Sequence, residues 1–513
     1  MSVLNTVAEP ETGLPPRAAV AEPHAQPGGG GGGAAIPGLA EAKPVHARWA
    51  EVNADYLEHA ARHPEYRVRA SFASMYEVEW IRKFRLQPWP IFVDAARRRE
   101  LEAVARGVDR LLKDFLARFF LNDPADIAAF YAADNPVADE NFATFTPDAD
   151  VVAMLLEEPD GVEAAPSRGD YIETAGGLKL VEYNAGSSLG GLQADAVGDL
   201  VLAAAPNARF LAERGLRARP PGTLRAFFRH VIDDTVRSGM WPGGDFNLAM
   251  MIRPGTPARI ALHSPELYER EFQKALEEGG IAPSGRVLLC GSEELVEEGG
   301  GLTLFGHPLH ALAEFHEGAV ENTRLAFRYF KMGRLNLFSG HIGWLLSDKR
   351  NLALISEYAD TDEFTDAERE LIHRHIPWTR LVRRGVVDRG GQRIRIPDDL
   401  PERREELVLK KASSIGGRHV HVGKFRTAAE WSALIERALG DGDWIVQEYL
   451  EMVPYCFQRG DEGAGPHDMV WGLFVFGDYY GGAFLRMQPA GNASGLVNTN
   501  QGAEVGVLLN LDE

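Results

Sequence analysis

Cysteine is almost absent from this chain of 513 residues: only Cys290 and Cys456 occur, too few for a disulfide framework. No apolar run reaches the about 18 residues that a membrane-spanning helix needs. Positive charge is also in short supply, with 54 Lys and Arg against 74 Asp and Glu. The resulting formal charge of −20 argues against nucleic acid as the main partner, because phosphate backbones are gripped by clustered cations. The N-terminus lacks the basic-then-apolar order of a signal peptide. These absences predict a cytoplasmic protein without nucleic-acid or membrane partners; they leave its oligomeric state open. No internal repeat with a period of about 20 to 50 residues is visible.

What is present is ordinary for a globular protein: 45% hydrophobic and 25% charged residues. The length exceeds that of one hydrophobic core and implies roughly three domains. Residues 1–43 combine Pro, Ala and Glu with the glycine run Gly28 to Gly33, and are read as a disordered tail. Residues 44–150 read as an accessory helical region, with Leu101, Val104, Val108, Leu111, Leu112 and Phe115 at helical spacing after a cap at Asp94. Strands begin in 151–215, with "LKLVEYNA" followed by a helical "LQADAVGDLVLAAA". Across 216–345 strand and helix alternate, with "NLAMMI", a helix from Pro265 to the Gly279-Gly280 pair, and then "RVLLC", which predicts a parallel α/β unit. In 346–513 a helical "KRNLALISEYA" precedes a hairpin-like pair, "LVLKKA" and "HVHVG", and a glycine-rich, strand-rich end.

The stretch "EYNAGSSLGGLQAD", 182–195, permits two chemistries. Gly186 to Gly190 fits G-x-S-x-G, so Ser188 could sit on a nucleophile elbow between strand and helix. An α/β-hydrolase needs that strand central and almost continuously apolar, however, and Lys179, Glu182 and Asn184 interrupt it. The other reading takes Glu182 and Asn184, two apart on a strand and so on one face, as oxygen ligands for a hard cation. A turn at "TAGG" would bring Asp170 beside them from a neighbouring antiparallel strand, with Arg168 on the same face. The bland alternative for these residues is a solvated hairpin. Farther on, "LVLKKASSIGGRHVHVG" places lysines at a strand end before Gly416 and Gly417, whose backbone could close over phosphates. "WIVQEYLE" is an apolar strand running into an acidic end, able to read a base edge and hold a ribose. His373 with His375, and His419 with His421, lack the further ligands a zinc site needs. The acidic run Glu293 to Glu298 reads as a solvated face.

Together these motifs resemble the ATP-grasp superfamily, in the order of its circularly permuted branch typified by glutathionylspermidine synthase. The carrying match is R-x-D, eleven residues, E-x-N, here Arg168, Asp170, Glu182 and Asn184. The resemblance covers about residue 165 onward and implies an α/β (α+β) fold: a circularly permuted ATP-grasp with a Rossmann-like pre-ATP-grasp unit at 216–345 for substrate; the N-terminal helical region read above has no counterpart in it. It implies ATP and two Mg2+ ions as cofactors, with Asp170, Glu182 and Asn184 as metal ligands. Lys349 becomes the first nucleotide lysine, and Lys410 or Lys411 the second; counting ten residues back from Val420 favours Lys410. Gly416 and Gly417 cover phosphates, Glu448, Tyr449 and Leu450 form the adenine hinge, and Glu451 is a ribose candidate. Arg168 and Arg486 become the catalytic cations. The implied reaction is ATP-dependent ligation of a small carboxylate to an amine through an acyl phosphate; an ATP-grasp phosphotransferase is the alternative, and a Ser188 hydrolase a lesser one.

Overall fold

A computed structural model describes residues 39–63, 85–120, 164–252, 265–291, 294–314, 320–338, 343, 346–412, 414, 417–459, 463–492 and 494–512. Gly416 and most of the segment read as a tail lie outside these residues. The first described helix, Leu39–Ala47, begins inside the stretch expected to be tail.

The chain is a mixed α/β protein. Its largest sheet is six-stranded and antiparallel, in the order Glu504–Gly506, Tyr479–Pro489, Ala464–Phe476, Ser167–Thr174 and Gly177–Ala185, with Tyr455–Gln458 also paired to Ala464–Phe476. The sequence from 167 to 185 thus forms a hairpin that joins strands nearly 300 positions later, Gly472 facing Asp170. Leu178, Leu180 and Tyr183 are buried on its reverse face, which makes one side of the hairpin core and leaves the other for a cleft.

The alternation over 216–345 folds as expected into a four-stranded parallel sheet, in the order Asn336–Phe338, Ala311–Glu314, Asn247–Met251, Arg286–Cys290. Helices Thr223–Arg237, Pro265–Glu278 and Val320–Lys331 accompany it. Within this unit, Val296–Glu298 is an exposed edge strand of a small antiparallel sheet, in keeping with a solvated acidic face. A third unit is the four-stranded antiparallel sheet Thr379–Leu381, Trp444–Glu448, Leu407–Lys411, Val420–Val422. It has its own apolar core, built on Leu407, Leu409, Trp431, Ile435, Trp444 and Val446. Helix Ala428–Asp441 closes that core; a reciprocal Thr427–Glu430 capping box starts it, and Gly442, at φ +79°, ends it.

The N-terminal helices back the hairpin. In helix Ala95–Phe120, whose Asp94 accepts from the Arg97 backbone as a cap, the buried Asp109 carboxylate takes hydrogen bonds from Tyr183 (2.6 Å) and Ser167 on the hairpin. Lys113 pairs with Asp109 at 3.0 Å, so this buried acid is both charged-paired and hydrogen-bonded. Arg48 and Trp49 reach Glu173, on the same reverse face, at 2.9 and 3.3 Å.

Candidate functional site

The hairpin face opposite the core carries Arg168, Asp170, Glu182 and Asn184. Asp170 lies directly across from Glu182, and Arg168 from Asn184, one residue beyond the register that the turn at 174–177 sets. One irregularity sharpens the face. The ladder pairs Asp170 with Glu182 but Tyr171 with Leu180, so Val181 is an extra residue, a β-bulge. The bulge lets Val181 and Glu182, neighbours in sequence, both line the cleft while Leu180 and Tyr183 stay buried.

Charges converge here. Arg168 donates to both Asp170 carboxylate oxygens, at 2.9 and 3.2 Å, and to the carbonyl of Gly190 at 2.6 Å. Arg486, on the Tyr479–Pro489 strand, brings Nη2 to 2.7 Å from Asp170 Oδ1. Burial alone would raise the Asp170 carboxyl, but the Arg168 and Arg486 charges outweigh it and hold the group below its ordinary value. Asn184 Nδ2 lies 3.3 Å from Asp170 Oδ2. Lys349, buried just before helix Arg350–Tyr358, donates to the Ser414 carbonyl at 2.7 Å and pairs with Glu182 at 3.0 Å.

The opposite wall comes from the separately cored sheet. Lys410 crosses from it to the hairpin: its ammonium donates to the Val181 carbonyl and to Gln447 Oε1, both at 2.7 Å. Burial pushes Lys410 down to about 8, although Glu182 and Asp170 pull the other way. Strand alternation sends the two lysines of the doublet to opposite faces. Val408 and Lys410 line the cleft, whereas Lys411 is on the other face, 3.6 Å from Asp443 and 3.9 Å from Asp441. Lys411 is therefore not part of the cleft.

Glu448, Tyr449, Leu450 and Gly417 line the same space. The Glu448 carboxylate accepts from the Trp378 backbone at 2.9 Å. Gly417 has φ +71°, and a Cβ there would come within 3.2 Å of Asn498, so the backbone makes its close approach because it carries no side chain. Glu451 is not on the wall: the Trp444–Glu448 strand has ended before it, and its side chain, 76% exposed, pairs with Lys424 at 2.7 Å. One end of the cleft is apolar, with Ile172, Val470 and Val497 packed against Val181, Leu450 and Met452. Counted out to its open mouth, the space measures about 810 Å³.

Gln447 is a site residue that the motifs did not single out. It is buried, accepts from Lys410 and donates to Thr379 Oγ1 at 3.0 Å. Its signal was register: it pairs with Val408 and so shares the face of Lys410. Ser188, by contrast, follows a strand at the edge of an antiparallel sheet, not the central parallel strand an elbow needs. The histidine pairs are occupied in ordinary ways, His373 with Asp360 at 2.9 Å, His375 with the Leu178 carbonyl at 2.8 Å and His419 with Ser414 at 3.0 Å. No helix among the described residues is long and apolar enough to cross a membrane.

No protein-family model matches the sequence, and no curated protein does. Among solved structures, the chain is similar to a glutathione synthetase like-effector (GSS30) from Globodera pallida, in its apoform. The TM-score is 0.44 at 12% identity, over 85% of this chain and 95% of that one. It is also similar to a protein assigned as a gamma-glutamylcysteine synthetase from Methylobacillus flagellatus KT, with a TM-score of 0.36 at 11% identity, over 79% and 88% of the two chains. Likeness of this depth leaves the cleft's own geometry to carry any assignment of activity.

Proposed function

We propose that this chain is an ATP-dependent carboxylate–amine ligase of the circularly permuted ATP-grasp type, joining a small acid to an amine through an acyl phosphate and releasing ADP and phosphate. What supports the reading is one observation: oxygen donors, cations and an apolar pocket meet in a single cleft between two separately cored sheets. Asp170, Glu182 and Asn184 offer the hard oxygen ligands that suit magnesium. Arg486 Nε is buried without a hydrogen-bond partner among the described residues, which leaves a cationic donor for an anion. The apolar end fits a planar base, so the residues present are compatible with a magnesium–nucleotide complex.

When bound, two magnesium ions would neutralise charge on the terminal phosphates during transfer. The chain's own part is to orient and to exclude water. Lys349 and Lys410 would hold the polyphosphate from its two sides. Gly417 would present backbone N–H to it, and the backbone of Glu448 to Leu450 would meet the base. Arg168 and Arg486 would steady negative charge on the phosphoryl group as it moves to the acid. A closed cleft is needed because an acyl phosphate hydrolyses in water.

A screen of amino acids, small peptides and polyamines, read as ADP release, tests the reading: release requires both an acid and an amine, and hydroxylamine in place of the amine gives a hydroxamate. Glu182→Ala and Asn184→Ala are expected to lose ADP release with the fold retained. Release without any amine, accompanied by a stable phosphorylated product, would mean a phosphotransferase instead; normal turnover in both variants would remove the metal role.

A further inference from the structure

The two carboxylates of the cleft are not free to receive a cation. Asp170 is gripped bidentately by Arg168 and approached by Arg486, and Glu182 is paired with Lys349. Lys410 adds a fourth cation, close enough to Glu182 and Asp170 for both to act on its proton affinity. Two negative charges are thus surrounded by four positive groups. Beyond them, the described residues contain no group of three or more His, Cys, Asp or Glu able to hold a metal. A divalent ion entering by itself would meet a positive field, and would have to break ion pairs at 2.7–3.0 Å with only water to compensate the displaced cations. A polyphosphate changes the balance, since it gives Lys349, Arg486 and Lys410 new anionic partners and supplies further oxygens to the metal.

We propose that Lys349 is an internal competitor for the metal site: it occupies Glu182 until polyphosphate draws it away, so that the protein refuses a free divalent cation and accepts one only together with nucleotide. The inference rests on the nucleotide reading above and deepens it. It makes metal and nucleotide binding strongly and reciprocally coupled, with Lys349 competing with the metal for Glu182 and drawn off by the polyphosphate. The consequence is selectivity. Calcium or manganese alone does not load the site, and free nucleotide finds a cation-lined cleft that metal-bound nucleotide fills with better charge balance.

The test measures manganese binding by electron paramagnetic resonance on the full chain, with and without a non-hydrolysable ATP analogue, for wild type, Lys349→Met and Lys349→Arg. Wild type and Lys349→Arg are expected to bind manganese weakly alone, and Lys349→Met about tenfold or more tightly, because one repelling charge is gone. With the analogue, wild-type manganese affinity is expected to rise by about a hundredfold, at the upper part of ordinary coupling, and in Lys349→Met by much less. Equal manganese affinity in all three proteins without nucleotide overturns the competitor role while leaving nucleotide binding standing. Absence of any analogue binding to wild type, with manganese present, overturns the ligase reading and this inference with it. Lys349→Arg guards against misfolding, since a charge-preserving variant that gained affinity alone would point to structural damage and count against the proposal.

Discussion

At the scale of single residues, the informative group is Lys410. An ammonium held at about 8 instead of its ordinary value near 10.5 is destabilised when charged, by on the order of 3 kcal/mol. The sign follows from the direction. A lysine depressed by folding costs stability while it is charged, below about pH 8, and the cost is relieved as pH rises from there toward the unfolded value. An anion placed against the ammonium recovers part of that cost, which is a reason to bury it at a phosphate site. Nucleotide affinity is therefore expected to be flat below about pH 7.5 and to fall about tenfold per pH unit above 8, until the bound state's own titration is reached. Lys410→Arg keeps its charge throughout and is expected to lose the alkaline decline; isothermal titration from pH 6.5 to about 9.5 reads it. A decline persisting unchanged in the arginine variant would place the titrating group elsewhere. The doublet Lys410-Lys411 shows how sequence and structure divided the work. A count back from Val420 pointed to Lys410, but only the strand's two faces show why one lysine serves the cleft and the other a pair of aspartates. Glu451 was misread for the same kind of reason: an acid at a strand's end faces the cleft only if the strand is still running there.

At the scale of elements, the hairpin was legible and its fault was not. R-x-D and E-x-N fix which residues share a face on each strand, and "TAGG" fixes the turn, but the turn's register alone would set Asp170 against Val181; only the bulge brings Glu182 opposite it. The bulge does leave a trace in the sequence. Leu178 and Leu180 are core at even spacing, and then Tyr183 is core at odd spacing, a phase change that one extra residue explains. Its use could not be read, because the freed Val181 carbonyl meets Lys410 from a sheet more than 200 positions away. Deleting Val181 would make the ladder continuous with every side chain still on its present face. The expected result is an intact fold by circular dichroism and nucleotide binding weaker by about tenfold, the worth of one charged hydrogen bond that positions the lysine. Unchanged binding would show that Gln447 alone sets Lys410, and a Gln447→Ala variant would then carry the loss.

At the scale of the whole molecule, the cleft joins three parts of the chain that local pattern assigns separately: the hairpin, the sheet from 379 to 448, and the C-terminal strands that flank the hairpin in its sheet. Local periodicity identified each part, whereas their assembly depends on pairings such as Asp170 with Gly472, which no spacing argument could supply. The helical N-terminus, for which the resemblance offered nothing, proves to hold the hairpin from behind through Asp109, Arg48 and Trp49. Because one wall of the cleft has a core of its own, a ligand bound across it ties two cores together and stabilises both. At about a hundredfold excess over its dissociation constant, a magnesium–nucleotide analogue should add about 2.7 kcal/mol. Spread over the unfolding entropy of a chain this long, that is a rise of about 2 to 3 °C in Tm. Glu182→Ala is expected to abolish the rise and to lower the ligand-free Tm by about 1 to 3 °C, since the variant leaves the buried Lys349 without its carboxylate partner. Differential scanning calorimetry with and without the analogue reads both numbers, and an equal rise in the variant would move the nucleotide's anchor away from the hairpin.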